Sequence, residues 1–169
     1  MSQTPEIEIR RADPTCPSVA PLIEGNQSHG AAETVAQSDH TFGAAELSRK
    51  DVRFYAAYQT GTSVQETPLG CGAIKTLSDG TAEVKSVFVS EAARGQGLAR
   101  RVMDHLASEA RNQGFHALVL ETGSALCPGY DAARALYERL GYRYCAPFEG
   151  YSEDPLSVFM HLPLKTTSA

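Results

Sequence analysis

Apolar and polar positions follow clear periods along most of this chain, and changes of period mark the elements. Residues 6–10, EIEIR, alternate and predict a first strand. Residues 18–24 place Val19, Leu22 and Ile23 on one helical face, which predicts a short helix. Residues 26–48 break the pattern. They are small and polar, with weak helical hints at 31–36 and 44–48, and read either as a segment that covers a site or as a plain connection. From residue 52 the pattern tightens. Residues 52–59 (VRFYAAYQ), 69–77 (LGCGAIKTL) and 82–89 read as three strands, joined by the polar stretch 60–67 and by the turn Ser78-Asp79-Gly80. Such short links predict antiparallel hairpins.

The pattern then changes to a helical one. Leu98, Val102, Leu106 and Ala110 recur every fourth residue, with Met103 and Ala107 beside them. Arg100, Arg101, Asp104, Glu109 and Arg111 fall mostly off that stripe. This predicts a long amphipathic helix stopped by Gly114. Residues 117–122, ALVLET, read as a buried strand. A helix separates it from the strand at 82–89, so those two should run parallel. Residues 123–130 read as a loop. A second helix follows at 131–140, with Asp131 as its N-cap and Gly141 as its stop. Residues 142–146 read as a strand, 147–155 as a loop, 156–162 as the strand that closes the sheet, and 165–169 as a frayed tail. The sum is a mixed α/β (α+β) fold: a mostly antiparallel sheet of six to seven strands with helices on both faces. The chain has 169 residues and no repeat or linker, which predicts one domain over 1–169 with its core in 5–164.

Composition narrows the class of function. The formal net charge is -5, which argues against a broad nucleic-acid or anionic-membrane surface. No run approaches the roughly 18 apolar residues of a membrane span, and the start MSQTPEIEIRR lacks a signal-peptide core. A cytoplasmic location is expected. The four cysteines, Cys16, Cys71, Cys127 and Cys145, form no C-x-x-C pair. They predict free thiols and no metal site, with Cys127 an incidental thiol in a loop. His29, His40, His105, His116 and His161 show no ligand spacing either, though His40 falls in the segment that could line a site.

The candidate chemistry sits at residues 84–113. A buried strand leads through Gly95 and Gly97 into the amphipathic helix. The first turn of a helix carries N–H groups without intrahelical partners, and these attract anions. A Walker A loop is excluded, because no G-x-x-x-x-G-K-[ST] run exists. A dinucleotide fingerprint fits poorly. Arg100 stands where its third glycine would be, and five residues separate the strand from Gly95, although Glu121 suits the ribose-binding acid. A plain tight turn into a helix remains open on spacing alone.

Wider context favours one reading. Arg94-Gly95-Gln96-Gly97-Leu98-Ala99 fits [RQ]-x-x-G-x-[GA] and resembles the pyrophosphate loop of the GCN5-related N-acetyltransferases. Val87-Phe88-Val89 precedes it as that family's fourth strand does. Ala133, Leu136-Tyr137 and Gly141-Tyr142 fit the later A-x-x-L-Y-x-x-x-G-[FY] signature, so the likeness covers about residues 52–163. Residues 145–148, 154–155 and 157–160, with Glu83-x-Lys85 and residues 120–123, resemble the small bacterial subgroup described as auxin (indole-3-acetate) acetyltransferases. Such likeness does not fix an acceptor.

The resemblance implies acetyl-CoA as cosubstrate, no metal, and fourth and fifth strands that splay apart. It implies that Arg94, Gly95, Gln96, Gly97, Leu98, Ala99 and Arg100 hold the phosphates. It also implies that Val87, Phe88 and Val89 offer a free strand edge to the pantetheine arm. Tyr137 is then the expected proton donor to the leaving thiolate, and Glu121 or Glu83 the proton acceptor for the amine. For either glutamate a carboxylate in an ion pair, as with Lys85, is the competing expectation. Two residues depart from the family pattern: Tyr130 replaces a common asparagine, and Glu91 a usual proline. The implied function is acetyl transfer to the primary amine of a small molecule in a ternary complex. A protein or peptide acceptor and a non-catalytic coenzyme-A sensor are the alternatives. The acceptor pocket is expected between 26–48 and 123–130, and a homodimer through the terminal strands is compatible with the sequence.

Overall fold

The computed structural model describes residues 6–61 and 66–165. Part of the expected turn at 60–67 and most of the expected frayed tail at 165–169 lie outside the described residues. Seven strands are β1 (Ile7–Arg11), β2 (Val52–Gln59), β3 (Pro68–Thr76), β4 (Thr81–Val89), β5 (Ala117–Gly123), β6 (Arg143–Cys145) and β7 (Ser157–Pro163). Four helices are α1 (Ala20–Glu33), α2 (Ala44–Leu47), α3 (Leu98–Asn112) and α4 (Asp131–Arg139). The strands form one sheet in the order β1-β2-β3-β4-β5-β7-β6. Every pairing is antiparallel except β4 with β5, as the intervening helix requires.

The side-chain period of two in β2 shows how the sheet is sandwiched. Phe54, Ala56 and Tyr58 face one core with Val19, Leu22, Ile23 and Leu47, which belong to α1, its N-terminal end and α2. Tyr55 and Ala57 face the other core, where the buried stripe of α3 (Leu98, Val102, Met103, Leu106, Ala107, Ala110) packs on the sheet. Helices thus cover both faces. Gly114 has φ +84 just past the end of α3, and Gly141 has φ +96 just past α4; both stops are the left-handed residues that favour glycine.

Four expectations need correction. The first helix runs from Ala20 to Glu33 and so takes up the first third of the segment read as irregular. Its stripe is diluted by Gly25, Asn26, Gln27, Ser28, His29 and Gly30, so periodicity fades although the helix continues. Tertiary packing holds it: a Cβ at Gly25 would stand 2.7 Å from the Phe88 ring. Asp131 is not the N-cap of α4. Tyr130 takes that position, and the Asp131 carboxylate instead receives a hydrogen bond from Arg134. Residues 142–146 shrink to the three of β6. Finally, β7 does not close the sheet; it inserts between β5 and β6, leaving β6 at the edge.

Candidate active site

The site begins where β4 and β5 part. They pair at only three positions, Thr81↔Ala117, Ala82↔Leu118 and Glu83↔Val119. Beyond these each strand continues with its other neighbour. Opposite β5, Leu120 pairs with Met160 and Gly123 with Ser157. On the far side of β4, Phe88 pairs with Cys71 and Val89 with Gly70. The β4 edge from Val84 onward therefore faces a wedge-shaped opening instead of a strand.

A bulge sharpens this divergence. The β3–β4 register shifts between Cys71 and Ala73, and Ser86 takes φ +56, the one positive φ outside glycine among the described residues. Such a conformation is strained for a side-chain-bearing residue and persists only where its surroundings hold it. The Cys71 thiol donates to the Ser86 carbonyl at 3.2 Å. Burial pushes that thiol up to about 12, so it stays protonated as a donor. The Ser86 hydroxyl is itself sealed from water and has no partner among the described residues.

Two neighbouring cavities that share part of their lining occupy the opening. The outer one, about 370 Å³, runs along Val87, Phe88 and Val89 and reaches Arg94, Ala99 and Ala133. The inner one, about 90 Å³, lies between Val84–Val87 of β4 and Leu120–Gly123 of β5, under Thr34 and residues 38–41. Asn26, Val87, Tyr130 and Tyr137 line both. Tyr130, the residue that departs from the family pattern, is thus at the junction, its ring edge-on to His29 at 4.7 Å.

The glycine turn flanks the outer cavity. Gly95 and Gly97 both have φ +75, and no atom lies within 4 Å of a Cβ built on either. Gly97 caps α3 with no side chain on its first turn, and the first bond back to the cap runs from Arg101 N to Gly97 O at 3.2 Å. The N–H groups of Leu98, Ala99 and Arg100 consequently have no intrahelical acceptor. Arg94 stands with its guanidinium 5.5 Å from the Phe88 ring and its Nε 3.3 Å from Val89 O. Gln96 donates to Ala92 O at 3.5 Å. Arg100 sits on the exposed face of α3, 3.9 Å from Asp104, and does not line the cavity.

The three proton-transfer candidates separate clearly. Tyr137, on α4, lies at the junction; burial, with the field of Glu121, pushes its hydroxyl up to about 12. Glu121, on β5, lines the inner cavity and accepts from Ser157 Oγ at 2.8 Å. Its pKa is raised above the ordinary 4.5, chiefly by burial, against the Ser157 bond and the nearby His40 and Lys85. Glu83 is 2% exposed and does not line the inner cavity. It pairs with Lys85 at 3.3 Å and accepts a short bond from the Tyr151 hydroxyl. Lys85 in turn donates to the His40 carbonyl and to Tyr151 Oη, both at 3.0 Å. Cys127 is buried with its thiol 3.7 Å from Leu156 O, and burial raises its pKa.

Sequence reasoning missed Ser86, Tyr151 and Ser157. Nothing in the residue types around Ser86 signals a left-handed backbone. Tyr151 sits in a polar loop more than sixty positions from the Glu83 it bonds, since that bond spans 68 residues. Ser157 falls in a predicted strand and in the stretch that resembles the subgroup, and neither signals its bond to Glu121.

The parallel strand pair that opens beside an unpartnered helix N-terminus is the arrangement that the resemblance to acetyltransferases implied. The model of the acetyltransferase (GNAT) family matches residues 22–142. The IAA acetyltransferase of Azospirillum brasilense is 39% identical over 162 residues, covering 95% of this chain and 99% of that one. The uncharacterized N-acetyltransferase YsnE of Bacillus subtilis is 38% identical over 124 residues, 73% of this chain and 78% of that one. A solved Klebsiella pneumoniae structure assigned as an acyl-CoA N-acyltransferase superposes with a TM-score of 0.74 at 34% identity, covering 94% of this chain and 98% of that one. This chain belongs to the GNAT acetyltransferase family. It is an acyl-CoA-dependent N-acetyltransferase. The free β4 edge, the open space at Gly95 and Gly97 and the unpartnered N–H groups all fit such a cosubstrate. Among the described residues no group of His, Cys, Asp or Glu is placed to hold a metal, and no helix is long and apolar enough to cross a membrane.

Proposed function

We propose that the enzyme transfers an acetyl group from acetyl-CoA to the primary amine of a small molecule, with both substrates bound together. The observation that carries this reading is the pair of cavities meeting at Tyr137. The outer one suits the cosubstrate and the inner, polar one suits the acceptor. A direct attack needs both at once, and the shared lining of Asn26, Val87, Tyr130 and Tyr137 provides the meeting point.

The residues divide the work as follows. Arg94 and the backbone of residues 95–99 hold the phosphates, with glycine at 95 and 97 so that no Cβ obstructs approach. Arg100 contributes charge from the exposed face of α3. The edge of Val87, Phe88 and Val89 hydrogen-bonds the pantetheine arm as an added strand, and an N–H there polarises the acyl carbonyl. The bound thioester supplies an acyl carbon that the amine nitrogen attacks while the bond to sulfur breaks. Glu121 takes the proton from the amine. A carboxyl whose pKa is raised toward neutrality is better matched to that task than an ordinary one. Tyr137 keeps its proton at neutral pH and donates it to the departing sulfur. Glu83, enclosed with Lys85 and Tyr151, is the weaker candidate for the base and serves to hold the floor of the site.

The test is thiol release from acetyl-CoA across amino acids, monoamines, polyamines, aminoglycosides and peptides. Turnover of at least one small amine, with saturation kinetics whose lines intersect when both substrates are varied, is the expected result. Turnover confined to peptides, or parallel lines from a covalent intermediate, would overturn the proposal.

A further inference from the structure

Resting on that reading, we infer that the acceptor is a primary amine with no carboxylate beside its nitrogen: an alkyl- or arylalkylamine, not an α-amino acid. The inference comes from which charges in the inner cavity are already spent. Its lining holds only two side chains able to carry positive charge, Lys85 and His40. An ammonium has three donors. Two of those of Lys85 go to His40 O and Tyr151 Oη, both at 3.0 Å, and its nitrogen stands 3.3 Å from Glu83 Oε1 as an ion pair. Its charge is offset by Glu83 in the same contact. The His40 ring stands edge-on to Tyr151 at 4.9 Å, packed against that same cluster. Arg134, on α4 and reaching the end of β5, is spent as well, on Gly123 O at 2.7 Å, Ser124 O at 2.8 Å and the Asp131 carboxylate.

The negative groups are in the opposite condition. Glu121 and Asp39 both line the cavity, and neither is ion-paired among the described residues. Glu121 receives only the Ser157 hydroxyl, and Asp39 the backbone N–H of Thr41 at 3.0 Å. Beside them Ser86 lines the cavity, and its hydroxyl is sealed from water without a partner among the described residues. An incoming ammonium suits that charge. It brings positive charge to two carboxylates that have no salt bridge among the described residues. A carboxylate on the adjacent carbon would lose its water beside Glu121 with no cation to receive it. Indole-3-acetate, suggested by the name of the Azospirillum relative, has a carboxylate and no amine, and the same charges disfavour it.

The experiment pairs amino acids with their decarboxylated amines: tyrosine with tyramine, tryptophan with tryptamine, lysine with cadaverine, arginine with agmatine. Each is measured by thiol release and, separately, by calorimetric binding to the enzyme saturated with coenzyme A. The expected result is that the amine of at least one pair binds and turns over, and in every active pair exceeds its amino acid by at least roughly tenfold, the scale of one charged hydrogen bond. Tyr151→Phe, checked by thermal melt and coenzyme A binding, returns one donor to Lys85 and should narrow that ratio. An amino acid equal to or better than its amine, no binding by any member, or an unchanged ratio in a folded Tyr151→Phe would overturn the inference. Preference for amino acids would leave the small-amine reading standing. Turnover of peptides alone would remove that reading too.

Discussion

Replacement of Gly97 tests the phosphate grip with a magnitude that the backbone sets. Gly97 has φ +75 and ψ +13, the left-handed region, at the N-cap of α3. An ordinary L-residue there costs about 1–2 kcal/mol. Nothing lies within 4 Å of the added Cβ, so no steric clash adds to that cost. A chain of this size loses ~2–4 °C of melting temperature per kcal/mol, so Gly97→Val should melt about 2–8 °C below the parent and remain folded. Binding should suffer far more. The side chain would fill the space through which a phosphate approaches the free N–H groups of Leu98, Ala99 and Arg100. Each charge-assisted bond lost is worth about 1.5–3 kcal/mol, so losing two weakens coenzyme A binding by roughly 10²–10⁴-fold. Gly97→Asn separates the two effects, because asparagine tolerates the left-handed backbone yet still occupies that space. Calorimetry with coenzyme A, alongside thermal melts, reads both quantities. Wild-type affinity in a folded Gly97→Val or Gly97→Asn would refute the assignment of the glycine turn to phosphate.

Three further outcomes follow from the site. Tyr137→Phe should lower kcat by about 10²–10⁴-fold and leave coenzyme A affinity unchanged; an unaltered kcat would remove Tyr137 from proton transfer. Glu121→Gln should abolish the ascending limb of the pH–rate profile. It should also change stability with a definite sign: the folded carboxyl has its pKa raised above 4.5, so its charged form burdens the fold only as pH rises past that value. The variant should therefore gain melting temperature over the parent at pH 7 and not at pH 4, and an equal gain at both would contradict the burial of Glu121. Lys85→Met should cost about 3–5 kcal/mol in urea unfolding, because Glu83, 2% exposed, would keep only Tyr151 as a partner. Adding Glu83→Gln should recover most of that loss, whereas simple addition of the two single costs would show that the pair is not coupled.

The parts of this protein legible in its sequence are those whose physics is local. The α3 stripe is buried along its length because a single periodic face meets the sheet. The bounds of β2 match the apolar run 52–59 because both faces of that strand are covered. The parallel relation of β4 and β5 followed from the helix between them. Gly95 and Gly97 announced a left-handed turn by residue type alone. Where periodicity was diluted, as in the second half of α1, the element was held by distant packing and could not be read.

The acceptor side of the site is distant packing almost throughout. Ser38 donates to Asp154 across 116 positions, Lys85 reaches the His40 carbonyl across 45, and Tyr151 reaches Glu83 across 68. Two segments that show no period of their own are thereby fastened to each other and to β4 beside the gap between β4 and β5. Their residue types are ordinary for loops, and only their convergence decides which charges remain free. Lys85 illustrates the consequence. In the sequence it is a lysine two places from a glutamate, equally ready to bind a substrate carboxylate. In the fold it donates to His40 O and Tyr151 Oη and its charge is paired with Glu83, while the cavity carboxylates Glu121 and Asp39 have no salt bridge among the described residues. The proposed cosubstrate grip is thus written in a contiguous motif, while the proposed acceptor preference depends on which long-range bonds already engage the available cations.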